Sequence, residues 1–309
     1  MPSQPPAFPS ISGTTDVYLI LGDPVEQVRA PESFNLIFAR MGIDAVLVPV
    51  HVAPENLNAF VRTAFLVKNI KGMWVTIPHK TPIMDVLDSR DALGRIAGAV
   101  NALRRSATGQ IEGGLFDGQG FVASLDYFGI AWVAKRVLVL GAGGAAAAIG
   151  ASMACSASGA SAEVAFFDPA PGRAKALAAR IAAAHGSGTR VNAVDSNDPS
   201  GFDIVINASP LGLKASDPMP CDVARMELHA VLMDILMKNQ PTPVVRAARL
   251  RGLVAHPGFE MMVQQTALYL DFFGFAEAAR QVRADAGGIC GVIRDTIAPN
   301  AHNFPATAL

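Results

Sequence analysis

The segment RVLVLGAGGAAAAIG (136–150) constrains this chain more than any other. An apolar run rich in valine gives way to a glycine turn and then to a string of small residues. Gly141, Gly143 and Ala146 form GxGxxA across that junction. The first glycine permits a tight turn, the second lets the backbone approach a pyrophosphate, and the small third residue lets helix and strand pack closely. The helix that follows offers free N–H groups and a partial positive charge to phosphates. Val137 to Ala162 also carries no charge and is long enough to cross a bilayer. After its first four residues, however, it is mostly Gly, Ala and Ser, which suits a buried strand followed by a close-packed helix better than a membrane span.

The rest of the chain repeats the strand–helix alternation. DVYLILG (16–22), AVLVPV (45–50) and IKGMWVTI (70–77) read as strands, and AGAVNALRR (97–105) and QIEGG (110–114) as later ones. Pro31 to Met41 and Pro54 to Val67 read as helices; Phe34, Ile37, Phe38 and Met41 stand at helical spacing. Beyond Asp117 come strands at 163–168, 202–210 and 231–236 and a helix at 173–184, and from Pro257 to Ala286 the pattern is helical. This predicts an α/β fold with parallel sheets covered on both faces. With 309 residues there is material for two domains. The reading is a loose tail at 1–15, one domain from 16–117 plus 258–309, a nucleotide-binding domain at 118–257, and an extended C-terminal end from Asp295.

Composition removes several function classes. Hydrophobic residues make up 51% of the chain and charged ones 17%, which excludes a disordered protein. A net charge of −1 with no basic run argues against nucleic acid or an anionic membrane as partner. Cys155, Cys221 and Cys290 are odd in number and far apart, so neither a disulfide framework nor a metal site is expected, and a reducing cytoplasm fits. The N-terminal MPSQPPAFPSISG lacks the charged start and apolar core of a signal peptide.

Asp168 closes the strand after the glycine turn, where the adenosine ribose belongs. A carboxylate there accepts hydrogen bonds from both ribose hydroxyls and repels a 2′-phosphate, which favours NAD over NADP. It also begins an Asp-Pro turn. Arg173, five residues on, is the competing feature, since a guanidinium could reach a 2′-phosphate.

Further segments bring in a family. GMWVTIPHK (72–80), GAVNAL (98–103), EGGLFDGQGF (112–121), GAGGAAAA (141–148), INASPLGL (206–213) and HPGFEMMVQQ (256–265) resemble, in order, the motifs of shikimate and quinate dehydrogenases. The resemblance implies a substrate domain completed by C-terminal helices, a Rossmann domain, a cleft between them, and a place in aromatic amino acid biosynthesis. It implies that Lys80 exchanges the hydroxyl proton and that Asp117 positions Lys80 and the hydroxyl. It also implies substrate contacts from Thr76, Asn101 and Gln265, and cofactor contacts from Gly141, Gly143, Gly144, Ala145, Ala208, Pro210 and Gly258. His79 is a weaker candidate for a proton shuttle.

Departures from the family matter as much. Where the family carries two serines that hold a carboxylate, this chain has Val28 and Ala30; Trp74 replaces an asparagine, Leu115-Phe116 an Asn-Thr pair, and Met237 a tyrosine. A hydrogen bond to a charged group contributes about 1.5–3 kcal/mol, so losing two costs roughly 3–6 kcal/mol, on the order of 10²- to 10⁴-fold in binding. Arg29 could compensate, but in an extended segment it points opposite to Val28 and Ala30. The expectation is a cyclic hydroxy compound less polar at that end, with Trp74, Phe116 and Met237 supplying apolar contact. A genuine shikimate or quinate dehydrogenase with a divergent carboxylate site, and a nucleotide-binding sensor without chemistry, are the alternatives. A homodimer is admitted but not required.

Overall fold

The computed structural model describes residues 11–156, 159–184, 188–214, 216–237 and 240–298. They fall into two compact units. The first holds residues 11–94, 99–116 and 265–298, the second residues 95–98 and 117–264. Asp117 therefore belongs to the second unit, and the later division falls at 264/265 instead of 257/258.

In chain order the elements of the first part are β1 (Asp16–Gly22), α1 (Ala30–Arg40), β2 (Ala45–His51), α2 (Leu57–Ala64), β3 (Ile70–Val75), β4 (Ser89–Arg90), α3 (Ala92–Ala97), β5 (Ala102–Arg105) and β6 (Ile111–Gly114). Then come α4 (Asp117–Tyr127), β7 (Arg136–Leu140), α5 (Gly144–Cys155), β8 (Glu163–Phe167), α6 (Arg173–Ala184), β9 (Arg190–Ala193), β10 (Ile204–Asn207), β11 (Val231–Asp234), α7 (Pro243–Leu250), β12 (Val254–Pro257), α8 (Phe259–Phe272), α9 (Ala276–Arg283) and α10 (Ile289–Ile297).

The first unit contains a six-stranded sheet in the order β2-β1-β3-β5-β6-β4. It is mixed, which corrects the expectation of parallel sheets throughout. β1 runs parallel to β2 and β3, but β5 is antiparallel to both β3 and β6. A short turn in which Ser106 N–H donates to the Gln110 carbonyl joins β5 to β6, and only antiparallel neighbours can be joined so briefly. Alternation along the strands then divides the side chains. Leu19, Leu21, Met73 and Val75 enter one core with Leu57 and Val61 of α2. Tyr18 and Trp74 face the other way: Tyr18 meets Phe38 on α1 and the Trp74 ring, and Trp74 meets Phe34 on α1 and Tyr269 on α8.

The second unit carries a six-stranded sheet in the order β12-β11-β10-β7-β8-β9, parallel throughout. From β7 the chain winds outward through β8 and β9, then returns to β10 on the other side of β7. That reversal is the topological switch point at which doubly wound sheets bind nucleotides. The apolar segment 137–162 supplies β7 and α5, and among the described residues no helix is long and apolar enough to cross a membrane.

Two ends differ from the sequence reading. Thr14 and Thr15 are not loose: their hydroxyls donate to the Asp44 carboxylate at 2.6 and 2.7 Å. Asp295 to Ile297 continue α10 instead of starting an extended end, because Ile289, Ile293 and Ile297 bury one apolar face at helical spacing. The remainder of both expected tails, 1–10 and 299–309, lies outside the described residues.

Candidate functional site

The glycine turn is built as a phosphate cradle requires. Gly141 has φ +113°, and a Cβ there would come within 2.8 Å of the Ala208 carbonyl oxygen, so only glycine serves. Gly143 is different. Its backbone is extended (φ −82°, ψ −175°), and nothing lies within 4 Å of where its Cβ would stand. Neither conformation nor a protein neighbour calls for glycine at 143; open space above the backbone is what a pyrophosphate uses. Gly143 caps α5 with no side-chain partner, leaving the first-turn N–H groups of Gly144 and Ala145 available. Ala146 is fully buried against the sheet. These features fit a dinucleotide cofactor.

Asp168 sits at the tip of β8. Its carboxylate accepts from Ala142 N–H of the glycine turn at 2.8 Å and from Ala170 N–H at 2.9 Å. The turn role and the cofactor role are thus held by one group: a carboxylate offers about four acceptor sites, and two remain for ribose hydroxyls. Arg173 opens α6 with its Nη1 3.7 Å from Asp168 Oδ2 and a side chain 56% exposed. A cation therefore stands beside the acid. Ala208 is half-buried and Pro210 exposed, in the loop after β10. Gly258 is buried, and its glycine is dictated by packing, since a Cβ would meet the Ile235 Cα at 2.6 Å.

A polar network that sequence reasoning missed shapes the 208–212 loop. Asn207 is fully buried; its amide donates to the Leu211 carbonyl and to Asp234, while its Oδ1 accepts from Ser209. Asp234 also accepts from the Thr242 hydroxyl and from Leu236 N–H. Burial pushes the Asp234 carboxyl up to about 6, against these hydrogen bonds. The available signal was an acid closing the apolar strand VLMD. Met237, three residues on, is half-buried in the same unit.

In the first unit, Lys80 is half-buried just past β3, and its carbonyl accepts from Val100 N–H. Thr76, also half-buried, donates its N–H to the Leu21 carbonyl. His79 is fully buried with Nε2 on the Val52 carbonyl at 2.8 Å, a structural anchor in the core. Asp117, in the second unit, is the first residue of α4 and 3% exposed.

Asn101, Gln265 and Trp74 form a distinct group. Asn101 is fully buried; its Oδ1 accepts from Phe116 N–H at 3.0 Å, and its Nδ2 has no partner. Gln265 Oε1 and Trp74 Nε1 are also buried without partners. Trp74 is 2% exposed, stacked on Tyr269 at 5.3 Å and against Phe273 at 4.2 Å. Phe116 meets Tyr269 edge-on at 5.1 Å. The sequence reading placed Trp74 and Phe116 beside a substrate without anticipating the rings of Phe34, Tyr269 and Phe273 around them.

The 27–31 segment needs correction. Arg29 is not extended: it is helical in φ and ψ (−112°, −10°) and caps α1, which begins at Ala30. Alternation therefore does not govern its direction. Its guanidinium donates to the Thr296 carbonyl and pairs with Glu32 at 2.8 Å. Val28 is half-buried and Ala30 buried. Two surface concavities, of about 600 and 530 Å³, are lined by other residues, among them Arg251 in one and Arg104 in the other. No group of metal-ligating side chains occurs among the described residues.

Comparison with known proteins agrees with the motifs. Residues 20–103 match the family described as shikimate dehydrogenase substrate binding domain. A shikimate dehydrogenase (NADP(+)) of Rubrobacter xylanophilus is 36% identical over 264 residues, 84% of this chain and 90% of its own length. One from Acidiphilium cryptum is 36% identical over 82% of this chain and 89% of its own length. The crystal structure of a shikimate dehydrogenase in complex with NADP+ superposes with a TM-score of 0.77 at 27% identity, covering 91% of this chain and 99% of the other. With identity above 30% sustained over more than four-fifths of its residues, the chain belongs to the shikimate dehydrogenase family.

Proposed function

We propose that this protein is a nicotinamide-dinucleotide-dependent dehydrogenase that oxidises, reversibly, a secondary alcohol on a ring, with NAD as the preferred cofactor and a substrate other than shikimate. Membership of the family supports the reaction class, and the open Gly143 turn supports the cofactor class. When bound, the dinucleotide supplies the hydride acceptor. The chain's own residues do the remaining work. Lys80 takes the hydroxyl proton as the alcohol carbon loses hydride and returns it in the reverse direction. Asp117 takes the positioning role that the matching motif implies. Asn101, Gln265 and Thr76 hold the ring of the substrate.

The single observation that carries the NAD preference is Asp168 at the tip of β8, bonded to the glycine turn through Ala142. A 2′-phosphate placed there meets a carboxylate. The relatives named above are NADP(+) enzymes, and Arg173 beside Asp168 is the residue that would serve such a cofactor. Steady-state KM values for the two cofactors decide between them: NAD is expected to have the lower KM, and a clear NADP preference overturns the assignment.

The substrate reading rests on Val28 and Ala30 in place of hydroxyl donors and on Arg29 being engaged by Thr296 and Glu32. A screen of alicyclic alcohols followed by reduced-cofactor absorbance is the test. Efficient turnover of shikimate or quinate would replace this reading with that of a shikimate or quinate dehydrogenase with a divergent carboxylate site. No turnover of any alcohol would leave a nucleotide-binding sensor.

A further inference from the structure

The residue after Asp117 has no room for a side chain. Asp117 opens α4 and is 3% exposed, and Gly118, which follows it, is buried. Glycine is a poor helix former, and Gly118 does not adopt a positive φ, so conformation does not call for it. Packing does. A Cβ on Gly118 would stand 2.0 Å from the Ala148 carbonyl oxygen and 2.4 Å from Ser152 Oγ, both on α5. The nearer obstacle is helix backbone, which cannot turn aside as a side chain can. Ser152 Oγ is buried at this contact without a hydrogen-bond partner among the described residues. Shape, not hydrogen bonding, therefore holds α4 against α5 here.

The other end of α5 is the phosphate cradle. Gly144 and Ala145 open the helix, and Ala148 lies one turn beyond them. Asp117, Gly118 and α5 all belong to the second unit. Asp117 is thus joined to the cradle through one glycine contact and one turn of helix. Close-packed interiors transmit displacement instead of absorbing it, so a path this short fixes the acid relative to the cradle.

We infer that Gly118 is a positioning residue, whose contact with the Ala148 carbonyl registers Asp117 on the cofactor helix. This rests on the dehydrogenase reading above and assigns the element that holds its acid. Any side chain at 118 lifts the first turn of α4 from α5 and carries Asp117 with it.

The test separates position from stability. Activity is followed on quinate, shikimate and 1,2-cyclohexanediol, with NAD and NADP in turn. Gly118→Ala is expected to lower kcat on the order of 10²-fold, the effect of an ångström-scale misplacement, with cofactor affinity by calorimetry unchanged. Asp117→Asn tests the reading by itself: full kcat in that variant, or no turnover by the wild type, removes the acid role and the inference with it. Where Asp117→Asn is slow, adding Gly118→Ala is expected to change kcat by less than about twofold, because substitutions acting through one group do not add. Additive losses, or normal kcat in Gly118→Ala, overturn the inference and leave the reading standing.

Gly150→Ala is the control, since its Cβ would meet the Phe166 ring at 2.2 Å, a different contact of α5. It is expected to lower thermal stability and keep kcat; an equal loss of kcat would make Gly118 a packing residue only. Amide hydrogen exchange reads the coupling without turnover. Cofactor is expected to protect the first turns of both α5 and α4 in the wild type, and only α5 in Gly118→Ala; protection of α4 that persists in the variant overturns the inference. Should Gly118→Ala not fold, Ser152→Val presses on the same contact from α5 with the glycine intact. It is expected to lose both kcat and the α4 protection, and retention of both overturns the inference.

Discussion

The two units present their chemistry in different materials. In the second, the cofactor features are backbone: the Gly141 turn, the open space over Gly143 and the uncapped start of α5. In the first, the candidate substrate features are side chains: Trp74, Asn101 and Gln265 around Tyr269. A backbone cradle is specified by where side chains are missing, so its glycines are legible and hard to replace. A side-chain set is specified by what is present, and single substitutions can retune it. The family's motifs persist across both units, yet the departures concentrate among residues expected to touch substrate.

The largest effect that sharpens this contrast is at Lys80. Lys80→Ala is expected to lower kcat by about 10²- to 10⁴-fold, the usual worth of a positioned acid or base, with cofactor affinity held within a few-fold. Stopped-flow turnover and a cofactor titration check both halves; near-normal kcat would remove the proton-transfer role.

Two buried titrating groups of the second unit act in opposite senses between pH 6.5 and 4. Burial, with the Arg249 charge adding to it, holds the His256 imidazole down at about 4; the ring stacks on Phe128 at 3.9 Å. Its folded value lies below the unfolded one. It therefore contributes stability that is full above pH 6.5 and lost as pH falls through about 4, at most about 3 kcal/mol. Asp234, raised to about 6, acts in the opposite sense: its contribution is full below pH 3.8 and lost as pH rises through 6. The two offset between pH 6 and 4. His256→Phe is expected to leave the second unit gaining stability on acidification across that window. Denaturant unfolding read by Trp132, which lies in the second unit, checks this; the first unit, read by Trp74 in Trp132→Phe, should not follow.

Smaller changes probe the cradle itself. Gly143→Ala is expected to fold with unchanged thermal stability, because its φ and its surroundings accept a methyl group. It should weaken cofactor binding about tenfold by denying one charge-assisted backbone contact. Gly141→Ala, strained by φ +113° and by the Ala208 carbonyl, should lower stability as well. Calorimetry on both variants separates a ligand-driven glycine from a fold-driven one; equal stability losses would erase the distinction. Smallest is Asp168→Asn, expected to narrow the ratio of NADP to NAD KM values by about fivefold, on the order of 1 kcal/mol.

Much of the second unit could be read directly. Strand, glycine turn and helix at 136–150 are local patterns, and each strand of a buried parallel sheet announces itself as an apolar run. The short strands β4, β9 and β12 could not, because two to four residues carry no measurable period. The antiparallel β5–β6 pair was read as two strands, but direction depends on the turn between them.

Sequence by itself determined the family and the doubly wound nucleotide unit and singled out Lys80, Asp117 and Asp168 as candidates, because these depend on residue type at fixed spacing. Tertiary structure alone decided which polar groups found partners. Asn207 and Asp234 satisfy each other across neighbouring strands, Arg29 is engaged by Thr296 from the far end of the chain, and Trp74, Asn101 and Gln265 converge on Tyr269 with atoms unpaired. Hydrogen bonding is a matter of distance and angle between residues remote in sequence, and no spacing along the chain encodes it.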